Sequence, residues 1–316
     1  MIDTYVGSPC YVLGDVAATV EESAKAGRFI SHCDDLVEAG FRRHWMCGAG
    51  TTVYDLAKRC AGELDADLEG TGAIIYATCL PENACVGDRG EFERTGDIKP
   101  LLNYPASRLQ ADLGLPGAEV IGVNQQACTS MLGSLRLAQA LLRTEPELGQ
   151  VLCLTSDRFP PGALYEQTYN VISDGAAACL VSTAPQSFRL VATHHITNGA
   201  MAQATDDEVV GSYFAYTHRL VQATLAKAGL NVGDIDWIVP QNTNVKAWQI
   251  LSRLLGVDFE RVHFPTMPDV GHVISGDNIV NLRHLEQSGQ LESSDRVLLV
   301  MAGFGLNWHC TILEKT

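Results

Sequence analysis

Residues 119–142, EVIGVNQQACTSMLGSLRLAQALL, run from a strand through a tight turn into a helix. Val120 to Val123 is a short apolar run of the buried-strand type, and Asn124-Gln125-Gln126 is a polar turn. From Cys128 an apolar pattern of helical spacing begins, carried by Met131, Leu132, Leu135 and Leu142. Cys128 therefore falls at or near the first turn of a helix, where unpaired N–H groups and the positive end of the helix dipole stabilise a thiolate. Cysteines in that setting act as nucleophiles. Spacing alone leaves a small buried core thiol as the alternative.

Around this stretch the composition is that of a globular chain long enough for two domains or one large one: 316 residues, 46% hydrophobic and 19% charged, with no low-complexity tract. Ten cysteines with no C-x-x-C pair, and a start without a basic signal-peptide region, predict reduced thiols in a cytoplasm. No apolar run reaches the roughly 18 residues that a membrane helix needs. A net charge of −15 disfavours nucleic acid, which is bound through Lys/Arg patches. No His/Cys/Asp cluster has metal-ligand spacing, so no metal is predicted. The expectation is a cytoplasmic enzyme or enzyme-like subunit, with neither membrane nor nucleic acid as partner.

Outward from residues 119–142 the elements repeat. Thr51–Leu64 is a helix with Val53, Leu56, Ala57, Cys60, Ala61 and Leu64 on one face, and Ala73–Thr78 is an apolar strand. Residues 81–99 are polar and charged and read as an exposed loop or flap. Strands follow at 150–155 and 176–181. The order then recurs: a helix over 209–228, a strand over 236–240, helices over 245–255 and 276–287, and closing strands at 296–302 and 309–313. The helix-loop-strand AKRCAGELDADLEGTGAIIYAT pairs with VQATLAKAGLNVGDIDWIVPQ, and QVLCLTSD…AAACLV with RVLLVMAG…HCTIL. This predicts an internal duplication of two α/β halves, 1–185 carrying Cys128 and 186–316 carrying His272.

The duplicated layout resembles the thiolase fold, a layered α-β-α-β-α architecture. Within it the chain is similar to the β-ketoacyl-acyl-carrier-protein synthase III family. The resemblance rests on GFRRHW at 40–45, VNQQACTSM at 123–131, VISDGAAACLVS at 171–182, IDWIVPQNTN at 235–244 and AGFGLNW at 302–308, in that order and spacing. It implies that Cys128 accepts an acyl group from acyl-CoA or an acyl carrier protein, with no cofactor bound permanently, and that the chain forms a homodimer. It also implies oxyanion binding by the backbone N–H groups of Cys128 and Gly305. Arg42 and Arg43 match the place where the family meets the nucleotide end of coenzyme A; surface ion pairing is the alternative. Asp157-Arg158 is a further, weaker candidate for the same entrance.

The departures from the family are equally informative. Carbon-chain-building synthases pair the cysteine with a His in a Pro-His-Gln-Ala-Asn type motif and an Asn in a Gly-Asn-Thr-Ser type motif. Here those motifs read Pro240-Gln241-Asn242-Thr243-Asn244 and Gly271-His272. Asp277, five residues after His272, is placed to turn back onto the imidazole. Cys128, His272 and Asp277 then supply a nucleophile, a base and a carboxylate that holds the tautomer. The alternatives are a histidine satisfied at a helix N-terminus and a carboxylate serving only as a helix cap.

This arrangement resembles the acyltransferase subgroup of natural-product pathways, typified by the cervimycin sugar acyltransferase and, with serine for cysteine, the daunorubicin starter-unit protein. The subgroup implies ping-pong acyl transfer to a hydroxyl, an amine or a starter-unit acceptor, small or carrier-bound. Condensation needs two neutral donors at an enolate, whereas transfer needs a base for the acceptor's proton. The alternatives are a decarboxylative condensing enzyme and a non-catalytic subunit of a heteromeric synthase. Asn242, Asn244 and Phe304 are candidate contacts to substrate. The brief polar segment between Ala192 and Gly211 predicts an open acceptor cleft.

Overall fold

The computed structural model describes residues 2–167, 170–304 and 306–316. Its apolar runs form one nine-stranded sheet: β1 (Tyr5–Leu13), β2 (Thr71–Ala77), β3 (Glu119–Val123), β4 (Gln150–Asp157), β5 (Gly175–Ser182), β6 (Phe188–Thr197), β7 (Trp237–Pro240), β8 (Arg296–Gly303) and β9 (Asn307–Lys315). The strand order is β7-β8-β9-β6-β1-β5-β4-β2-β3. β2 runs parallel to β3 and β4, while β5 is antiparallel to its neighbours β4 and β1. The later strands repeat the pattern: β7 is parallel to β8, and β9 is antiparallel to β8 and β6. Where the first set has β3 at its outer edge, the second has a single parallel bridge between Ile238 and Val262. The two sets join through β1 and β6, which pair Tyr5 with Arg189 and Val6 with Phe188.

Helices α1 (Val53–Gly62), α2 (Ser130–Thr144), α3 (Asp206–Ala228), α4 (Val245–Leu255) and α5 (Asp277–Gln287) supply the other layers. Strand alternation shows how. On β2, Ala73 and Ile75 enter a core with Met131, Leu132 and Leu135 of α2, while Ile74 and Tyr76 pack with Leu56 and Ala57 of α1. On β8, Val297, Leu299 and Met301 share the α2 core with Ile279 and Leu282 of α5, and Leu298 and Val300 join Leu220 and Trp248 of α3 and α4. Both faces of these strands are covered, so nearly every position is apolar. The result is the α-β-α-β-α layering of the thiolase fold, with α2 and α5 in the middle layer.

Residues 81–99 are exposed, as their polarity predicts, but they are not a plain loop. Asp88 caps a helix over Arg89–Thr95, accepting from the Glu91 N–H at 2.9 Å, and Gly96 ends it at φ 70°. An N-cap aspartate and a C-terminal glycine are the usual start and stop signals, and both were present in the sequence.

Candidate active site

Cys128 lies in the middle layer, in a 3-10 turn over Ala127–Thr129 that leads straight into α2. Ala127 takes φ 47°, the left-handed region that a Cβ makes costly by on the order of 1–3 kcal/mol. Neighbouring groups impose it. Thr129 gives its N–H and hydroxyl to the Gln126 carbonyl at 3.1 and 2.6 Å. The Ser275 hydroxyl donates to the Ala127 carbonyl at 3.2 Å and accepts from Ser130 Oγ at 2.9 Å. Gly303, ending β8, presses against the same turn: a Cβ there would stand 2.7 Å from the Cys128 nitrogen.

His272 comes from the other side of the layer. Its N–H donates to the Val171 carbonyl at 2.8 Å, and its own carbonyl accepts from the Ser173 N–H at 2.9 Å. Gly271 before it has φ 69°, and a Cβ would meet the Val171 oxygen at 2.9 Å, so this approach requires glycine. Asp277, in the first turn of α5, sets its Oδ2 2.5 Å from His272 Nδ1. The same carboxylate accepts the N–H groups of Asn242 at 2.8 Å and Val273 at 2.6 Å. With Nδ1 so engaged, the other ring nitrogen is the one left free for the cavity that His272 shares with Cys128.

A second thiol completes the cluster. Cys79 Sγ lies 3.7 Å from Cys128 Sγ. It follows the C-terminal end of β2, the end of parallel strands where sites gather in α/β sheets. Asp157 holds it there, accepting the N–H groups of Cys79 at 2.9 Å and Leu80 at 3.0 Å and the Asn83 amide at 2.9 Å. The Asp157 side chain is thus buried beneath the Cys79 loop rather than at an entrance, because these three donors replace its water.

The electrostatics follow from these contacts. The Cys79 thiol and then the His272 imidazole favour the Cys128 thiolate over its burial, which opposes it, and bring its pKa to about 5. Cys79 is pushed upward, chiefly by its hydrogen bond to Cys128 and by burial. Burial pulls His272 down, but Asp277 and the Cys128 charge outweigh it and raise it to about 10. Both shifts favour a thiolate on Cys128 and an imidazolium on His272. Burial lifts Asp157 to about 7 against its three donors.

Cys128 and His272 open onto a cavity of about 670 Å³. Val209, Val210, Tyr213 and Phe214 of α3, with Phe304 and Trp308, form its apolar wall. The brief segment after β6 delivers α3 to this wall, where Val210 is 39% and Phe304 50% accessible. Asn244 lines the cavity while its Oδ1 caps α4, accepting the Ala247 N–H at 2.9 Å. Asn242 does not reach it: fully buried, it bonds the Gly271 carbonyl and Asn281, both at 2.8 Å, behind His272. Arg42 and Arg43 are exposed and line none of it; Arg42 pairs with Asp269 at 2.7 Å. Arg158 donates to the Thr51 carbonyl. Gly305 lies outside the described residues. Among the described residues, no group of three His, Cys, Asp or Glu is placed to hold a metal, and no helix is long and apolar enough to cross a membrane.

Two family models match the chain, 3-oxoacyl-[acyl-carrier-protein] synthase III over residues 124–199 and its C-terminal part over 225–315, together more than half of it. β-Ketoacyl-[acyl-carrier-protein] synthase III of Chlamydia caviae is 26% identical over 246 residues, 68% of this chain and 73% of that protein. The structure of ChlB3, an acyltransferase, superposes with a TM-score of 0.83 at 21% identity, covering 99% of this chain and 98% of that one. 3-Oxoacyl-(acyl carrier protein) synthase III of Pseudomonas aeruginosa PAO1 gives 0.80 at 19% identity, again over 99% and 98%.

Proposed function

We propose that this chain, which belongs to the 3-oxoacyl-[acyl-carrier-protein] synthase III family, is an acyltransferase that carries an acyl group on Cys128 from a thioester to a hydroxyl or amine acceptor. The observation that carries this reading is the Asp277-supported His272 beside Cys128, with Gln241 where the family's condensing members place histidine. One base held by a carboxylate suits removal of an acceptor's proton. It suits an enolate less, which needs two neutral donors.

In the first half-reaction the Cys128 thiolate attacks the thioester carbonyl carbon. The oxyanion meets the Cys128 N–H and, in this reading, that of Gly305. The bond to the donor's sulfur breaks, and the leaving thiolate takes the proton of the His272 imidazolium. In the second, the acceptor's oxygen or nitrogen bonds to the acyl carbon as its proton passes to His272. Collapse of the adduct breaks the bond to Cys128 and restores the thiolate–imidazolium pair, so the cycle is ping-pong.

The donor in this reading is acyl-CoA or an acyl carrier protein, met outside the cavity by the basic surface of Arg42 and Arg43. Asn244 and Phe304 border the substrate, and Asn242 acts through the backbone behind His272. The halves 1–185 and 186–316 supply the nucleophile and the base, in a homodimer working in the cytoplasm on a small or carrier-bound acceptor of secondary metabolism. Family membership favours a second reading, a decarboxylative condensing enzyme.

Intact-protein mass after mixing with acyl- and malonyl-thioesters separates them. Transfer predicts an acyl adduct that vanishes in Cys128→Ala and persists without turnover in His272→Ala. Release of CO₂ from malonyl-carrier protein would establish condensation instead. Absence of any adduct on the wild-type protein would reject both and favour a non-catalytic subunit.

A further inference from the structure

Gln241 is pinned on every side but one. Its N–H donates to the Val300 carbonyl at 3.1 Å, and its own carbonyl accepts the Thr243 N–H at 2.9 Å and Trp248 Nε1 at 3.2 Å. Its side-chain Oε1 accepts the Ala302 N–H at 3.1 Å. A backbone N–H can only donate, so the atom facing it is the amide oxygen, and the NH₂ must point the other way. Gln241 lines the cavity with Cys128 and His272, and its Nε2 has no protein partner among the described residues.

Apart from Cys128 and His272 the cavity carries no charge: no Asp, Glu, Lys or Arg is among its described lining residues, in a chain that carries 59 of them. Side chains such as Asn124, Gln125, Gln167 and Asn170 provide its polarity. A protonated amine entering here would find no carboxylate to replace its water, and it has no lone pair with which to attack. A neutral hydroxyl can do what the site asks. Its oxygen accepts from an amide NH₂ while its proton goes to a base.

We propose that the acceptor is a neutral alcohol and that Gln241 is the residue that orients it, donating Nε2–H to the hydroxyl oxygen while the hydroxyl donates to His272. The inference rests on acyl transfer through Cys128. As the acceptor's O–H bond breaks toward His272 Nε2, its oxygen bonds to the acyl carbon and the acyl–Cys128 bond breaks. The Gln241 contact keeps the attacking lone pair aimed at that carbon and needs no change of protonation. The same amide offers no cation to a malonyl carboxylate.

The test separates loading from transfer. The protein is loaded with p-nitrophenyl acetate, the acetyl adduct at Cys128 is followed by intact mass, and the adduct is chased at pH 7.5 with benzyl alcohol or benzylamine. Gln241→Glu keeps an oxygen for the Ala302 N–H and replaces the donor by an acceptor; Gln241→Ala removes both. Circular dichroism and the melting temperature check that each variant is folded, and transfer is read as the decay of the adduct already formed, so a change in loading rate does not enter it. The expected result is transfer to benzyl alcohol about 100-fold slower in both variants, with the wild type preferring alcohol to amine and Gln241→Glu narrowing that preference. Unchanged alcohol transfer in Gln241→Glu, or wild-type preference for benzylamine, would overturn the proposal. Failure of the wild type to load at Cys128 would instead remove the acyl-enzyme reading beneath it.

Discussion

Cys79 and Cys128 place their sulfurs 3.7 Å apart, on turns that follow two neighbouring parallel strands. The pairing is asymmetric because only Cys128 also faces His272, so the negative charge settles there and Cys79 keeps its proton to donate. Alkylation of Cys128 by iodoacetamide, read by peptide mass, should be half-maximal near pH 5 and level above it. A hydrogen bond to a charged group is worth about 1.5–3 kcal/mol, so Cys79→Ala should move that midpoint up by about 1–2 pH units. Cys79→Ser, which restores a donor, should recover part of the shift. An unmoved midpoint would show that His272 alone sets the thiolate.

Asp277 has two duties, which two substitutions separate. Asp277→Asn keeps one oxygen but turns an NH₂ toward either the Val273 or the Asn242 N–H and can leave His272 in the wrong tautomer, so transfer from acyl-Cys128 should slow by on the order of 10³–10⁴ while unfolding registers the loss of a single buried acceptor. Asp277→Ala also strands the buried N–H groups of Asn242 and Val273. Each unpaired group costs about 1–3 kcal/mol, so thermal unfolding should show a clear additional loss.

Gly303 is required by contact rather than by conformation. In Gly303→Ala the new methyl would have to displace the Cys128 amide, 2.7 Å away. Over-packing of this sort costs about 1–3 kcal/mol. Acylation of Cys128, timed by intact mass, should fall far more than stability, since in the proposed reaction the displaced N–H is the one that meets the oxyanion.

Ser275 links the loop of His272 to the turn of Cys128. Ser275→Ala loses the hydrogen bonds to Ala127 and Ser130 at once. Calorimetry should register a loss of about 1–3 kcal/mol. Slower alkylation of Cys128 should accompany it, because the strained φ of Ala127 is held by that contact. A stability loss with unchanged alkylation would locate the restraint in Thr129 and Gln126 instead.

Much of this was legible in residues alone. Apolar runs with both faces buried announced β2, β4, β5 and β8, and the repeated helix-strand order announced the duplication; these are local periodicities, present in any conformation of the chain. The five-residue spacing of His272 and Asp277 already allowed their contact. The departure from the family at Gln241 and Gly271-His272 was also visible before any coordinates. The helix inside residues 81–99 could have been read from Asp88 and Gly96, but the charge of that segment outweighed its capping signals.

What the sequence by itself determined is the repertoire: strands and helices in a doubled order, a thiol at a helix start, and an imidazole with a carboxylate nearby in the chain. The tertiary structure alone decided which distant groups meet. Cys79 and Cys128 are 49 residues apart, and Ser275 and Ala127 are 148 apart. Asn242 turned inward because the Gly271 carbonyl and Asn281 satisfied its amide away from the cavity, and Gln241 was left with a donor facing the cavity because Ala302 took its oxygen. Such partners are chosen by the packing of two half-sheets against one layer of helices. Polar groups buried there must pair with whatever the layers bring within reach, and no local pattern of residues records that choice.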